Sequence, residues 1–419
     1  MIVRKIRPEE LKRTKELFAA AFHTVYENEK APLAVYEDVC KNPKTREDVC
    51  PLDKYAALEE DDQTMMSCLS VIRYPMHFDG HTVVMAGIGG VSSLPQYRRR
   101  GGIRACFEKM LPELYQEDVV FSCLYPFSTE YYRKFGYEMS PQLSAYEWKL
   151  SFLPAENTGG HCVLVDASNR MNLLPDVKRI DKVWQKNYNL MICGEEWEYR
   201  FITEANPYQT GSYTYLYYKE DGTPTAYLTF HSEDTPNGKV IAATRLLFTD
   251  VCGLLGLLTL MRGFASDYTA VRFTLPEDCE IEPLIPELSL NACTRTRRNM
   301  GMVRVIHVQK ALELARYQGS GTLTLRILDE QIAENNGVFS VSFEQNRAVC
   351  VKRLPAEEKA QLSMTIQDFS RFIIGAFGTE TMPFCRQLVW EGKGAPDAAS
   401  LAQLGRVFYK KPCCLMENF

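Results

Sequence analysis

Hydrophobic and polar positions follow two different periods along the first 150 residues. Residues 2–7 alternate as in a strand, and Pro8-Glu9-Glu10 then opens a helix whose apolar residues recur at helical spacing. A hairpin is predicted at Asp79-Gly80, because this dipeptide favours a two-residue turn between strands. A helix after Arg100 and a buried strand at residues 119–124 follow it. This succession of strands and helices predicts a mixed α/β layer.

The pattern starts afresh after residue 150 and again near residue 303. Residues 151–302 contain a strand–helix–strand order around an apolar helix, which indicates a degenerate second copy of the first domain. The third segment has its own alternation, with elements predicted at residues 308–316, 322–327, 338–343, 348–351 and 365–377. The fold class is therefore predicted to be α/β (α+β), with three domains at residues 1–150, 151–302 and 303–419.

Composition indicates folded domains and excludes several classes of partner. Hydrophobic residues make up 46% and charged residues 24% of the 419 positions, which excludes a disordered chain. A net charge of −5 argues against bulk binding to nucleic acid or to anionic lipid. Charges interrupt the first positions, where a secretory signal needs an apolar run. The longest apolar stretch, residues 251–261, has about half the length that crosses a bilayer, so no membrane insertion is expected.

The metal-binding residue types do not cluster in the sequence. The 14 cysteines form no Cys-x-x-Cys pair, and neither they nor the six histidines have metal-ligand spacing, so no metal is expected. Reduced thiols in a cytoplasmic protein are the simplest interpretation. His77 and His81 flank the predicted hairpin turn, and both are expected to face solvent.

The most informative stretch is Arg98-Arg99-Arg100-Gly101-Gly102-Ile103-Arg104, between a predicted strand and a predicted helix. Unpaired amides at a helix start attract anions, glycines let a pyrophosphate approach the main chain, and arginines neutralise it. The stretch therefore predicts a phosphate cradle. It has neither the Gly-Lys-Ser/Thr of a P-loop nor the glycine spacing of a Rossmann turn. The alternative is a glycine-bearing turn beside a solvated basic helix end.

The same stretch resembles the acetyl-CoA motif R/Q-x-x-G-x-G/A of the GNAT N-acetyltransferases, with Ile103 where that motif has a small residue. Together with Tyr131-Tyr132-Arg133-Lys134-Phe135-Gly136-Tyr137 and the terminal Phe419, it resembles the Eis (enhanced intracellular survival) family. This resemblance implies tandem GNAT-like domains followed by a sterol-carrier-protein-like domain. The second GNAT-like domain is expected to lack a working cofactor motif.

The resemblance implies acetyl-CoA as co-substrate and assigns a segment of the chain to each part of it. The strand before the cradle is expected to splay from its neighbour, so that main-chain groups there meet the pantetheine arm and the thioester. The cradle residues are expected to wrap the pyrophosphate, and the next short helix to lie beside the pantetheine. The residues implied are Val91, Ser92 and Ser93, then Arg99, Arg100, Gly101, Gly102, Ile103 and Arg104, and finally Phe127 and Ser128.

Two catalytic groups are implied by the same resemblance. Tyr132 matches the family's general acid, which protonates the departing CoA thiolate. The main-chain carboxylate of Phe419 matches its general base, since members of this family return their last residue into the site. The ordinary alternatives are a tyrosine that only packs its ring and a frayed carboxyl terminus.

The predicted function is acetyl-CoA-dependent N-acetyltransfer by direct attack of an amine. The acceptor is expected to be small and polar, similar to an aminoglycoside, a polyamine or lysine, and Tyr26, Glu27 and Tyr36 are candidates for contacting it. No nucleic-acid partner is expected, and the resemblance implies a homo-oligomer, namely a hexamer. The alternative is a carrier of an apolar ligand that retains a vestigial CoA-binding domain.

Overall fold

The computed structural model describes residues 1–25, 53–139, 142–194, 196–284, 286, 292–385, 387–391 and 397–416. The chain divides into two compact units. The first unit comprises Met1–Ser140, Gly301–Lys411 and Leu415–Phe419, and the second comprises Pro141–Met300 and Pro412–Cys414.

The strands of the described chain form three sheets. In chain order the strands are β1 Ile2–Lys5, β2 Lys54–Leu58, β3 Met65–Phe78, β4 His81–Ser93, β5 Phe121–Leu124, β6 Glu138–Met139, β7 Gln142–Lys149, β8 His161–Leu164, β9 Ser212–Tyr218, β10 Pro224–Thr235, β11 Gly238–Phe248, β12 Ala270–Pro276, β13 Cys293–Asn299, β14 Met302–Val305, β15 Gly321–Leu328, β16 Gly337–Glu344, β17 Arg347–Leu354, β18 Leu362–Thr365 and β19 Val389–Trp390.

Helices connect these strands. The α-helices are α1 Leu11–Phe22, α2 Gly102–Gln116, α3 Thr129–Arg133, α4 Arg170–Asn187, α5 Arg200–Thr203, α6 Pro207–Thr210, α7 Val251–Arg262, α8 Val308–Leu314, α9 Ile366–Ile373 and α10 Ala398–Val407. Short 3-10 turns lie at Pro8–Glu10, Pro95–Tyr97, Leu150–Phe152, Glu196–Tyr199, Glu282–Leu284 and Thr379–Phe384.

The first sheet has the order β1-β2-β3-β4-β5-β14-β6, and only its β4–β5 pair is parallel. The predicted hairpin is confirmed, because Asp79 and Gly80 both have positive φ angles, of 48° and 94°, as a two-residue turn between twisted strands requires. Helix α2 covers the sheet with an apolar face that includes Phe107, Met110 and Leu111, all fully buried. Strand and helix therefore enclose one hydrophobic core.

The second sheet repeats this topology. Its order, β8-β9-β10-β11-β12-β7-β13, matches the first sheet strand by strand, and its parallel pair β11–β12 is joined by α7 as β4–β5 is joined by α2. The expectation of a second copy is thus confirmed at the level of topology. None of the helices in the described ranges combines the length and the apolar character needed to cross a membrane.

The two sheets exchange one strand each. Strand β7 precedes the second sheet's other strands in the chain and lies between β12 and β13, while β14 follows them and lies between β5 and β6 of the first sheet. The structure therefore divides the chain differently from the predicted boundaries at residues 150 and 302. Local periodicity identifies a strand but not its sheet, because pairing partners are chosen by tertiary packing.

The third sheet belongs to the first unit and has the order β17-β16-β15-β18-β19. Strands β15 and β18 are parallel, and the other pairs are antiparallel. Helix α9 presents Phe369, Phe372 and Ile373 to the core, each with no exposed surface, as the helical spacing predicted.

The tip of the β3–β4 hairpin is held by Arg316, Arg347 and Lys411, whereas the sequence predicts solvent-facing positions for His77 and His81 beside it. Asp79 Oδ2 accepts hydrogen bonds from Lys411 Nζ at 2.6 Å and from the amide of Arg316 at 2.7 Å. Arg347 Nη1 donates to the main-chain oxygen of Asp79 at 3.0 Å and lies 3.2 Å from His81 Nε2. His77 and His81 are half-buried rather than facing solvent, because partners of this hairpin such as Arg347 lie more than 200 residues away in the sequence.

Replacing Lys411 with Met should lower the free energy of unfolding of the first unit by about 3–5 kcal/mol, since Asp79 is then left buried without its counter-charge. Urea denaturation measures this change. Lys352→Met, at an exposed position on β17, is the matched control and should change stability by less than about 0.5 kcal/mol. Equal stability of both variants and the parent would show that the buried pair contributes nothing.

Candidate active site

A single extra residue bends β4 near its carboxyl end. Ser70 pairs with Gly89 and Cys68 with Ser92, so β4 has one residue more than β3 over this stretch. Gly90, inside the extra length, has a φ of 57°, which a glycine adopts without steric cost. The parallel ladder with β5 ends at Ile88 opposite Leu124. The last residues of β4 therefore extend past the end of β5 at Leu124, and the splay implied by the resemblance stays a prediction.

The chain between β4 and α2 turns through two left-handed residues. Arg99 has a φ of 67° and Gly101 a φ of 83°. Gly101 is the N-cap of α2 and provides no side chain to cap the helix, so the first amides of α2 lack the usual capping partner. A Cβ on Gly101 would meet nothing within 4 Å. The backbone here is open to a ligand.

Gly102 is required for a different reason. A Cβ at this position would lie 2.6 Å from Ser67 Oγ and 3.3 Å from the Ala57 side chain. The start of α2 therefore packs directly on β2 and β3. Ile103, beside it, is 8% exposed and belongs to the core, so its bulk does not obstruct the turn.

A cavity of about 460 Å³ lies at this helix start. Its lining joins the turn to one face of α3, and consists of Ser93, Tyr97, Arg99, Arg100, Gly101, Gly102, Ile103, Arg104, Tyr131, Lys134 and Phe135. The structure thus brings together seven of the residues predicted to hold the co-substrate.

The cavity is electropositive. Arg100 lies 3.4 Å from Glu59 Oε1 and stacks over the ring of Tyr97. Within the described residues, Arg99, Arg104 and Lys134 form no ion pair with a carboxylate. Three uncompensated cations beside uncapped helix amides favour a polyanion such as a pyrophosphate.

Helix α3 carries two adjacent tyrosines with different environments. Tyr131 lines the cavity, whereas Tyr132 is 2% exposed and packs edge-on against Phe107 and Tyr137. Among the described residues the hydroxyl of Tyr132 has no hydrogen-bonding partner, while that of Tyr137 is bonded to Ser122 Oγ at 2.7 Å. Burial raises the pKa of Tyr132, and Tyr131 and Tyr137 raise it further. Tyr132 therefore keeps its proton at neutral and mildly alkaline pH.

Four predicted residues do not line this cavity. Val91 is half-buried against the core, and the Ser92 hydroxyl donates to the carbonyl of Gly90 at 2.9 Å. Ser128 caps α3 by accepting from the amide of Tyr131, and Phe127 is 74% exposed with its ring beside Tyr131 and Tyr132. Their roles toward the co-substrate stay predictions.

Four other predicted residues, Phe419, Tyr26, Glu27 and Tyr36, lie outside the described residues. Their assigned roles also stay predictions.

The sequence analysis missed four residues of the cavity. Tyr131, Lys134 and Phe135 share one helical face at spacings of three and four, a pattern that could have identified them. Tyr97 lies in the turn before the cradle and has no periodic signal that would mark it.

In the second unit, helix α7 occupies the topological position that α2 has in the first, but its N-cap is different. Asp250 is the N-cap of α7, and its side chain accepts from the amide of Gly253 at 2.8 Å. Lys219 Nζ lies 3.4 Å from the same carboxylate. A carboxylate that already satisfies a helix amide competes with a phosphate for that position and repels it.

Comparisons with known protein families identify two domains in the chain. Residues 2–140 match the family of GNAT acetyltransferase domains, and residues 308–415 match the family of sterol carrier protein domains. A comparison with curated proteins finds no match. Several solved structures are similar over the full chain. A probable N-acyltransferase of unknown function from Enterococcus faecalis V583 has 21% identity, a TM-score of 0.81 and coverage of 100% of this chain and 99% of its own.

Two further structures are similar over 100% of this chain and 100% of their own length. A GCN5-related N-acetyltransferase from Anabaena variabilis has 18% identity and a TM-score of 0.82, and Eis1 from Mycobacterium abscessus has 14% identity and a TM-score of 0.75. The chain therefore contains a GNAT acetyltransferase domain at residues 2–140 and a sterol carrier protein domain at residues 308–415. Its GNAT domain makes it an enzyme of the acetyltransferase class, and the predicted α/β fold with a carboxy-terminal sterol-carrier-like domain is confirmed.

Arg104→Gln should raise the Kd for CoA about tenfold, because a charge-assisted contact to phosphate is lost. Isothermal titration calorimetry at low and high salt measures the change, which should shrink as salt screens the charge. Arg98→Gln is the control, since Arg98 is exposed, lies outside the cavity lining and donates to the carbonyl of Ala21. Equal losses in both variants would contradict binding at the cavity.

Proposed function

We propose that the chain is an acetyl-CoA-dependent N-acetyltransferase that acetylates an amine of a small polar acceptor by direct transfer. The observation that carries the proposal is the electropositive cavity at the uncapped start of α2, beside the end of β4, where Ser93 lines it. The co-substrate supplies an acetyl group activated as a thioester. Arg99, Arg104 and Lys134 hold its pyrophosphate together with the amides of the turn.

The reaction exchanges one bond for another at the acetyl carbon. The neutral acceptor amine attacks the thioester carbonyl, the C–N bond forms, the C–S bond breaks, and the sulfur leaves as a thiolate. The amine loses one proton and the thiolate gains one. The main-chain amide of Val91 polarises the carbonyl, a role supported by its position beyond the last β4–β5 pair. Placing amine and thioester together lowers the activation barrier by on the order of 7 kcal/mol.

Tyr132 donates the proton to the thiolate sulfur and regains it from solvent. Its raised pKa keeps the donor form populated, and its unengaged hydroxyl leaves the proton available. Tyr137 is unsuited, because its hydroxyl is engaged with Ser122.

The carboxylate of Phe419 accepts the amine proton. A terminal carboxylate is anionic at neutral pH. Support comes from Leu415, which is 1% exposed. A Cβ on Gly301 would lie 2.9 Å from Leu415 Cδ2 and 3.3 Å from the carbonyl oxygen of Leu124, so Leu415 lies beside the end of β5.

The carrier alternative is less well supported. A vestigial CoA domain has no need to keep uncompensated cations at an uncapped helix start, and the second unit shows how such a start is closed by Asp250. The acceptor class, aminoglycoside-like, polyamine-like or lysine-like, is tested with an amine panel by release of the CoA thiol. No disulfide joins two of the described cysteines, in keeping with a cytoplasmic location, and we propose a homo-oligomer, a hexamer by resemblance.

Tyr132→Phe should lower kcat by about 10²-fold with an unchanged Kd for CoA, because only the proton donor is lost. Steady-state CoA release and calorimetry measure the two quantities. Tyr131→Phe is the matched control on the same helix and should keep kcat within about threefold. A low kcat in Tyr131→Phe with a normal one in Tyr132→Phe would assign the acid to Tyr131 instead.

A chain that ends at Asn418, and one with two residues added after Phe419, should both lose turnover by about 10²-fold while binding CoA normally. Each variant removes the Phe419 carboxylate. The loss should diminish as pH rises, because the acceptor amine then enters the site already neutral. Normal turnover in both variants would exclude Phe419 as the base, and absence of acetyl transfer in the parent with every amine would favour the carrier.

A further inference from the structure

The carboxyl end of α3 is held by side chains from far along the sequence. Gln367 Nε2 donates to the carbonyl of Arg133 at 2.9 Å, and Arg304 Nη1 donates to the carbonyl of Phe135 at 2.6 Å. Gln331 Nε2 reaches the carbonyl between them, that of Lys134, at 3.4 Å. We call Arg304, Gln331 and Gln367 the carbonyl clamp. Its three members all come from the part of the chain after residue 300.

Arg304 is the rigid member of the clamp. Its side chain has no exposed surface, and Nη2 is bonded to both carboxylate oxygens of Asp329 at 2.7 and 2.8 Å. Asp329 in turn accepts from Asn335 Nδ2 at 3.0 Å and from the amide of Ile332 at 3.2 Å. The guanidinium is therefore fixed by a bidentate, buried partner, and little freedom remains to it.

Gly136 lets the clamp approach the main chain. Its φ is 82°, and a Cβ there would lie 1.5 Å from Arg304 Nη1. The glycine of the Phe-Gly-Tyr segment is therefore required by the arginine as well as by the turn.

The clamped residues are bonded directly to Tyr132. The carbonyl of Tyr132 accepts from the amide of Phe135 at 2.9 Å and from that of Tyr137 at 3.3 Å. Helix α3 has only five residues, a length that is not stable by itself, so its geometry depends on such contacts. The backbone that carries Tyr132 thus receives its position from the residues that the clamp holds.

We propose that the carbonyl clamp positions the hydroxyl of Tyr132 for proton transfer. This gives the carboxy-terminal domain a second task in the reaction, distinct from delivery of the Phe419 carboxylate. The three residues are positioning residues, because they act through α3 and touch neither donor nor acceptor. The inference rests on the proposed role of Tyr132 as general acid.

The test is a double-mutant cycle between the clamp and the tyrosine. Gln367→Ala removes a half-exposed amide and should lower kcat about fivefold, with Kd for CoA and the urea midpoint unchanged. Arg304→Lys keeps the charge opposite Asp329 but shortens the reach to Phe135, and should lower kcat more. Gln403→Ala is the matched control, since Gln403 Nε2 donates to the carbonyl of Thr322 in the same domain at 3.0 Å and has no bond to α3.

If the clamp acts through Tyr132, the losses of kcat caused by the clamp substitution and by Tyr132→Phe should not be additive. In the Tyr132→Phe background, with the panel amine that has the highest kcat, Gln367→Ala should cause no further loss. A fivefold loss that persists there, or a normal kcat in both Gln367→Ala and Arg304→Lys, would overturn the clamp while leaving Tyr132 as the acid. A normal kcat in Tyr132→Phe alone would reject the proposed acid first, and the clamp with it.

Discussion

The extra residue at Gly90 sets the conditions for everything the first sheet can bind. It lies just after the last β4–β5 pair, Ile88 with Leu124, while Ser92 and Ser93 still pair with β3. A few residues later the chain turns into α2, with Arg99 and Gly101 in the left-handed region. An irregular strand end and an uncapped helix start therefore follow each other in the chain. Binding and chemistry share that geometry.

The two GNAT-like sheets show how the same topology can keep or lose such a site. Both have the same strand order and the same helix after the fourth strand. At α2 the N-cap is a glycine with open space beside it, whereas at α7 it is Asp250, whose carboxylate occupies an amide. The exchange of glycine for aspartate at the N-cap leaves the hydrophobic periodicity unaltered, because neither cap contributes to the core. The architecture is preserved by packing, and the ligand site is decided by a single polar position.

The carboxy-terminal part of the first unit is joined to the GNAT sheet by buried polar contacts as well as by apolar packing. Lys411 forms an ion pair with Asp79 at the hairpin tip, and Arg304 forms one with Asp329 next to the carboxyl end of α3. Ion pairs of this kind add little net stability when compared with apolar residues of the same size, but a mismatched partner is costly. They therefore favour one arrangement of hairpin, short helix and tail. A site assembled from distant segments benefits from that selectivity.

The sequence by itself determined the elements, the hairpin at Asp79-Gly80, the cradle from Arg99 to Arg104 and the resemblance that named the chemistry, because these depend on spacing within a few residues. Only the tertiary structure decided that β7 and β14 are exchanged, that Tyr131 rather than Tyr132 faces the cavity, and that Arg304 and Lys411 are buried in ion pairs with Asp329 and Asp79. Those facts join residues up to 332 positions apart. A local pattern carries no record of such partners, since they are selected by the packing of whole elements.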